Sequence, residues 1–334
     1  MRKTREEPVS RLDDAARAGW LYYVAGKTQE EIAARLGISR QAAQRLVSLS
    51  VSAGLVRVRI EHPIGACLEL ARRLEETFGL VDAEVVPSDP SSTSTTLGVA
   101  DACADRLQRE LMTARPRILG IGTGRTLRAA VERLPALSCP QHRIVSLTGN
   151  IAPDGSASVF NVIFSLADKV EAPHYPMPLP VVASSAEERA MLHEQKVVQI
   201  SLRLASEADI AFVGVGEVSP LAPLVQDRFI STPEREDLVA SGAVGEIIGW
   251  VFDEDGVLLD CDFNRRVVSP PIPATPGAHV IGVAMGQAKR HAIHAAIRGR
   301  LINGLITDEE TATALLQIEL NGRSGASPAR MMGA

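Results

Sequence analysis

The residues Arg117-Ile-Leu-Gly-Ile-Gly-Thr-Gly-Arg-Thr126 carry an apolar run into a glycine-rich turn, and a helix-compatible stretch follows. Gly122 and Gly124 leave backbone N–H groups bare to an anion, the start of a helix favours negative charge, and Thr123 and Thr126 add hydroxyl donors. That chemistry suits a phosphate group; a tight turn without a ligand is the other reading. The spacing is not the GxGxxG of a dinucleotide fold, and no lysine follows the glycines as in a nucleoside-triphosphate loop.

Val280-Ile-Gly-Val-Ala-Met-Gly-Gln-Ala-Lys289 repeats the theme of strand, glycine and helix. It brings Lys289 one turn into its helix, where the ammonium meets phosphate or lies on the surface. Leu147-Thr148-Gly149-Asn150, with Asn161 opening a later helix, offers amide and hydroxyl groups for sugar oxygens, although each type also serves in loops and caps. Glu246, after Ala243-Val244-Gly245, accepts from two hydroxyls of a polyol or stands exposed at a strand start. His291 and His294 share a helix face, but no third ligand accompanies them, and a packing or surface role is preferred to a metal.

A different chemistry sits near the N-terminus. Thr28 and Glu31 have the spacing of a capping box that starts a helix through Leu36. Gly37 permits a sharp turn and Ser39 caps a following helix. Ile32, Ala33, Leu36, Ile38, Ala43 and Leu46 fill the space between the two helices. Arg40 with Gln44, and Gln41 with Arg45, sit four apart and share a side of the second. Arg suits guanine and Gln suits adenine in a major groove, and each also touches phosphate. A supporting helix is expected over 12–25, with Ala15, Ala16, Trp20, Tyr23 and Val24 as its apolar positions. After Gly54, Leu55-Val-Arg-Val-Arg-Ile60 alternates as a strand or wing would, making Arg57 and Arg59 phosphate contacts.

Helix and strand patterns alternate through the remainder. Buried strands are expected at 118–121, 144–147, 210–215, 247–252 and 280–283. Helices are expected at 68–78, 96–111, 127–133, 186–207 and 287–298, with a capped terminal helix from Asp308. This alternation implies an α/β layer sandwich on a largely parallel sheet, with ligands at the carboxyl ends of its strands. The chain of 334 residues exceeds one compact domain. We expect a DNA-binding domain at 1–62, a connecting helix and linker at 63–87, and an effector and oligomerisation domain at 88–330.

Charge supports that division. Residues 1–63 hold 11 Lys and Arg against 7 Asp and Glu, while the rest holds 24 against 33. A basic end is drawn to phosphate, and the acidic remainder limits nonspecific adhesion. Cys67, Cys103, Cys139 and Cys261 form no CxxC pair, and free thiols in a reducing compartment are expected. The charged start and the lack of a long apolar run point to the cytoplasm and away from a membrane.

Together these motifs resemble the SorC family of sugar-binding transcriptional regulators. The likeness spans nearly the full chain. It rests on Tyr22-Tyr-Val, Thr28-Gln-Glu-Glu-Ile-Ala, Gly37-Ile-Ser-Arg, Gly120-Ile-Gly-Thr-Gly-Arg-Thr, Val244-Gly-Glu-Ile-Ile-Gly, and Lys289 followed by Ile302-Asn-Gly-Leu-Ile-Thr-Asp-Glu-Glu-Thr-Ala. The resemblance implies a winged helix-turn-helix domain followed by a Rossmann-like effector domain similar to sugar-phosphate isomerases. It also implies a homotetramer (dimer of dimers), a sugar, polyol or sugar-phosphate inducer, operator DNA as partner, no cofactor and no catalysis.

Carried onto this sequence, Gly122, Thr123, Gly124 and Thr126 form the phosphate loop and Lys289 neutralises the phosphate. Thr148, Asn161 and Glu246 then face the sugar, with Gly149 beside them. Arg125 and Met285 depart from the common pattern: Arg125 either adds affinity for phosphate or points away, and Met285 narrows the site, so an unphosphorylated polyol stays open. A sugar-phosphate enzyme with an accessory DNA-binding unit is the rival reading, although no acid/base constellation assembles. A constitutive architectural DNA protein leaves the second domain unexplained.

Overall fold

The computed structural model describes residues 9–56, 64–89, 91, 96, 98–152, 155–156, 162–272 and 278–325. The chain forms two compact units, Met1–Pro63 and Ile64–Ala334. Arg57, Arg59 and the expected wing beyond Val56 lie outside the described residues, as does Asn161.

The first unit contains α1 (Val9–Tyr23), α2 (Gln29–Leu36) and α3 (Arg40–Ser52). Thr28 and Glu31 form the expected capping box, Gly37 turns through φ 66°, and Ser39 caps α3 by accepting from the N–H of Ala42. These devices satisfy helix-start donors and set two short helices at an angle. The core comprises Ala18, Leu21, Ile32, Ala33, Ala43 and Val47, with Leu36, Ile38 and Leu46 half-buried against it. On α1 the buried positions are Ala15, Ala18 and Leu21, whereas Trp20, Tyr23 and Val24 are exposed. The expected apolar stripe was therefore rotated: Gly19 lies directly on Ser50, and this close approach turns the large side chains outward.

The second unit begins with α4 (Gly65–Phe78), β1 (Asp82–Val86), α5 (Val99–Leu111), β2 (Ile118–Ile121), α6 (Arg125–Arg133), β3 (Leu137–Ser138), β4 (Arg143–Ser146) and α7 (Val162–Ala167). It continues with β5 (Val170–Glu171), β6 (His174–Tyr175), α8 (Ala186–His193), α9 (Lys196–Ser206), β7 (Ile210–Val213), β8 (Gly216–Glu217), α10 (Pro223–Gln226) and α11 (Thr232–Ala240). The last elements are β9 (Gly245–Ile247), β10 (Trp250–Phe252), α12 (Asp262–Arg266), β11 (His279–Val283), a 3-10 turn (Gln287–Lys289), α13 (Arg290–Arg298), β12 (Gly304–Asp308) and α14 (Glu309–Gly325).

Seven strands make one sheet in the order β1-β12-β11-β7-β2-β4-β6, every pair parallel. All seven carboxyl ends therefore lie on one edge. From β2 the chain steps outward through β4 and β6, then returns to β7 on the other side of β2 and steps away through β11 and β12. The direction reverses between β2 and β7, which makes the crevice at their ends the topological switch point. β2 and β7 are buried along their full length. Their side chains alternate between two cores: Leu119, Ile121, Ile210 and Phe212 enter one, and Ile118, Ala211 and Val213 the other. Both faces of the sheet are covered, as an all-parallel sheet requires.

Several expected elements differ. Residues 64–86 are part of this unit rather than a free connector: Cys67, Ala71 and Leu74 of α4 share a core with Leu80, Val85 and Leu315. The strand expected at 247–252 is a hairpin, because Ile248 and Gly249 both take positive φ and fold β10 antiparallel onto β9. β8 joins them in a three-stranded flap. The helix expected over 186–207 is two, broken where Gln195 turns extended at ψ 127°. The edge strands β1 and β6 and the interior strand β12 are not among the expected strands.

Asn264 holds the outer edge of the flap. Its Oδ1 accepts from the N–H of Val251 at 2.9 Å, and its Nδ2 donates to the carbonyls of Val251 and Leu259 at 2.8 Å. Asn264→Ala orphans the buried N–H of Val251, whose carbonyl keeps the N–H of Leu259 at 3.1 Å. We expect a loss of about 1–3 kcal/mol, read by urea unfolding of the full chain.

Candidate functional sites

In the first unit α3 presents Arg40, Gln41, Gln44 and Arg45, all exposed, while Ala43, Val47 and Ser50 face inward. Arg40 pairs with Glu30 of α2 at 3.4 Å, and both side chains are largely open to solvent. Such a pair is weak and leaves Arg40 free to exchange partners. The hydroxyls of Thr28 and Ser39 are engaged in caps, so their first role is to fix the two helices.

In the second unit the strand ends bring most of the expected effector residues to one edge. The Gly122 N–H donates to the carbonyl of Phe212 at 2.8 Å, tying the loop after β2 to the end of β7. A side chain at Gly122 would press on that carbonyl at 3.2 Å and on Ile248 Cγ2 at 3.4 Å. Gly124 takes φ 128° and ψ 163°, a conformation open only to glycine, and caps α6 without any side-chain hydrogen bond. The first N–H groups of α6 thus have no side-chain cap, and Thr123 and Thr126 flank them in sequence.

The second strand–glycine–helix junction has the same backbone form: Gly286 takes φ 106° and ψ 152°. Its N–H is already held by Thr311 Oγ1 at 2.9 Å. The turn it opens carries Lys289, half-buried. Burial pushes the Lys289 ammonium below its ordinary value; Glu246 opposes that shift and Arg125 adds to it.

Glu246 comes from the flap. Burial pushes its carboxyl above the ordinary range, while the N–H of Gly249, donating to Oε2 at 2.9 Å, and the charge of Lys289 pull it back. Its other oxygen lies against Gly216, where a side chain would collide with it. Glu217 adds repulsion from β8. At the rim Arg125 is exposed; it draws down Asp227, whose carboxyl burial raises. Arg125 therefore supplies positive charge beside Lys289.

The third wall is the end of β4. Register pairs Ile121 with Ser146, which sets Thr148 two residues beyond, level with Thr123. Ser146 Oγ donates to the carbonyl of Thr148 at 2.8 Å and reaches Asn150 Oδ1 at 3.4 Å. Thr148 Oγ1 and Asn150 Nδ2 are buried without a hydrogen-bond partner among the described residues. Two orphaned polar groups in one turn are costly unless something else satisfies them. Gly149 is bare for a packing reason: the carbonyl of Pro180 occupies the place of its side chain.

His294 donates or accepts at Glu319 Oε2 across 3.1 Å and meets Phe78 edge-on, a packing role. Glu217, Asp227 and Ile248 carry no sequence signal: the first two gain meaning only from Glu246 and Arg125, which the fold brings near them. Ile-Gly is not a turn pair that announces itself as Asn-Gly does.

A helix-turn-helix unit followed by a parallel α/β domain whose strand order reverses between β2 and β7 is the architecture of a ligand-responsive transcription regulator. The Sugar-bind model of a sugar-binding domain matches residues 62–317, and the MarR family model matches residues 18–63. The erythritol catabolism regulatory protein EryD of Brucella abortus is 34% identical over 302 residues, covering 90% of this chain and 96% of that protein. The transcriptional regulator LsrR of Klebsiella pneumoniae is 32% identical, covering 91% and 92%. The full-length sorbitol operon regulator SorC of Klebsiella pneumoniae matches in structure with a TM-score of 0.66 at 26% identity, covering 92% and 99%. The chain belongs to the SorC family of sugar-binding transcriptional regulators. No helix among the described residues is long and apolar enough to cross a membrane.

Two outcomes test the geometry. Gly124→Ala has open space for its methyl group but a forbidden backbone, and should lose about 1–3 kcal/mol in urea unfolding. Glu246→Gln keeps an acceptor for Gly249 and removes the buried charge. A raised carboxyl value favours the neutral form in the fold, a contribution present below the unfolded value near 4.5 and lost as pH rises through the folded one. Glu246→Gln should therefore melt above wild type at neutral pH, with the gap closing as pH falls through that window in a calorimetric series.

Proposed function

We propose that this regulator controls an operon for catabolism of a small sugar alcohol or sugar. Its effector is a polyol or the corresponding monophosphate, taken up in the crevice between the ends of β2 and β7. The observation that carries this reading is the opposition of Glu246 and Lys289 over the open start of α6 at the switch point. An ammonium and bare N–H groups suit a phosphate, and a carboxylate suits vicinal hydroxyls. The unpartnered Thr148 and Asn150 support a hydroxyl-rich ligand, since each then gains the bond it lacks. Gly122, Thr123, Gly124, Arg125 and Thr126 line the anion end in this scheme, and the name of EryD makes erythritol the first probe.

The second unit acts as a sensor and not as an enzyme. Operator DNA is read by Arg40, Gln41, Gln44 and Arg45, and the assembly is a homotetramer. Effector binding then shifts the balance between DNA-competent and DNA-incompetent arrangements by its difference in affinity for the two, commonly about 1–3 kcal/mol.

Arg40→Ala with Gln44→Ala should abolish selective operator binding in a gel-shift titration while circular dichroism stays native. Unchanged selectivity would remove these residues from the interface. Thr123→Ala and Lys289→Ala should each weaken erythritol or erythritol-phosphate binding by about tenfold or more in calorimetry. Wild-type binding in both variants would place the pocket elsewhere.

A further inference from the structure

The turn that carries Glu246 is built against its own backbone preference. Ile247 pairs with Trp250, leaving Ile248 and Gly249 as a two-residue hairpin turn. Their φ values are 48° and 92°, both left-handed. Such turns take Asn, Asp or Gly at the first position, because a β-branched side chain clashes with its own backbone there. Among the described residues two others without glycine's freedom share this conformation, Arg228 and Arg300, and neither is β-branched.

Burial holds the turn in place. Ile248 is 5% exposed and belongs to the larger core cluster. An asparagine would relieve the backbone and leave its amide unpaired in that core. The isoleucine therefore exchanges local comfort for contact, and the contact is specific: its Cγ2 covers the bare face of Gly122. The next residue, Gly249, directs its N–H to Glu246 Oε2. The loop after β2, the end of β7 and the acidic flap thus meet at Gly122.

We propose that Ile248 is a positioning residue of the effector site, fixing the distance between the Glu246 carboxylate and the Gly122 loop. The proposal rests on the effector reading above for its ligand, and on the hairpin geometry alone for its mechanism. When Ile248 packs on Gly122, Gly249 stays under the carboxylate. Without that side chain the turn relaxes, and the Gly249 N–H leaves the oxygen it stabilises. Lys289 of the 3-10 turn and Glu217 of β8 then remain as the charged groups facing Glu246, with Arg125 of α6 acting through Lys289.

The test uses the full chain and three variants. Ile248→Val keeps the methyl group over Gly122, Ile248→Ala removes it, and Ile248→Gly also frees the backbone. A carbon-13 titration of the Glu246 carboxyl, assigned with Glu246→Gln, needs no ligand. Its midpoint should rise by about half a unit or more in the Ala and Gly variants and stay at the wild-type value in Val. Calorimetry with erythritol should show affinity about tenfold lower in the Ala and Gly variants, with Val close to wild type. If Gly unfolds, as circular dichroism would show, Ala carries the comparison. A Glu246 midpoint unmoved in Ala and Gly overturns the proposal, as does a Val variant that moves as far as Ala. A wild type that takes up neither erythritol nor its phosphate refutes the effector reading, while the titration still decides the role of Ile248.

Discussion

The bond between the Gly122 N–H and the Phe212 carbonyl joins two strands that run parallel but lead the chain in opposite directions. One connection carries the backbone outward through β4 and β6, the other through β11 and β12. A space opens between the diverging connections, and whatever lines it has to fit beside two backbones in contact. That constraint explains the glycines: a side chain at Gly122 would strike β7, and one at Gly214 would press on the carbonyl of Thr123 at 3.3 Å. The flap inherits the same crowding through Gly216, which gives its space to Glu246. The polar groups at this edge are thus backbone amides and side chains arriving from further away.

Much of this was legible because the signals are local. The capping box at Thr28, the left-handed Gly37 and the cap at Ser39 act within a few residues, so spacing alone places α2 and α3. Fully buried strands such as Ile118–Ile121 read as short apolar runs bounded by glycine. The edge strands did not. β1 mixes Asp82 and Glu84 with three apolar residues, and those carboxylates find arginine partners on α5 that sequence spacing cannot show.

The flap was misread for a related reason. Residues 247–252 look like one apolar strand, and only tertiary burial forces Ile248 into a turn that its type disfavours. At the site, Gly122, Thr123, Gly124, Glu246 and Lys289 stood out by type and spacing. The sequence offers the amide of Asn150 as a candidate, but that its Nδ2 is buried without a partner among the described residues is visible only in the fold.

The effector unit surrenders stability at several points that lie close together. Burial raises the carboxyl of Glu246 and lowers the ammonium of Lys289 from their ordinary values, and Gly124 and Gly286 demand glycine. Thr148 and Asn150 leave polar atoms unsatisfied. A ligand that met these needs would stabilise the folded unit in proportion to its occupancy. Away from that edge the sheet is covered on both faces by close-packed cores.

The pairing of β1 with β12 joins Asp82 to Gly304, near opposite ends of the effector unit. On the ribosome, β1 emerges early and has no partner until the chain has been made through Asp308. The three-helix unit ahead of it closes through contacts of short range and can fold as soon as it clears the exit tunnel. The nascent protein therefore possesses its DNA-binding end well before it possesses a sensor.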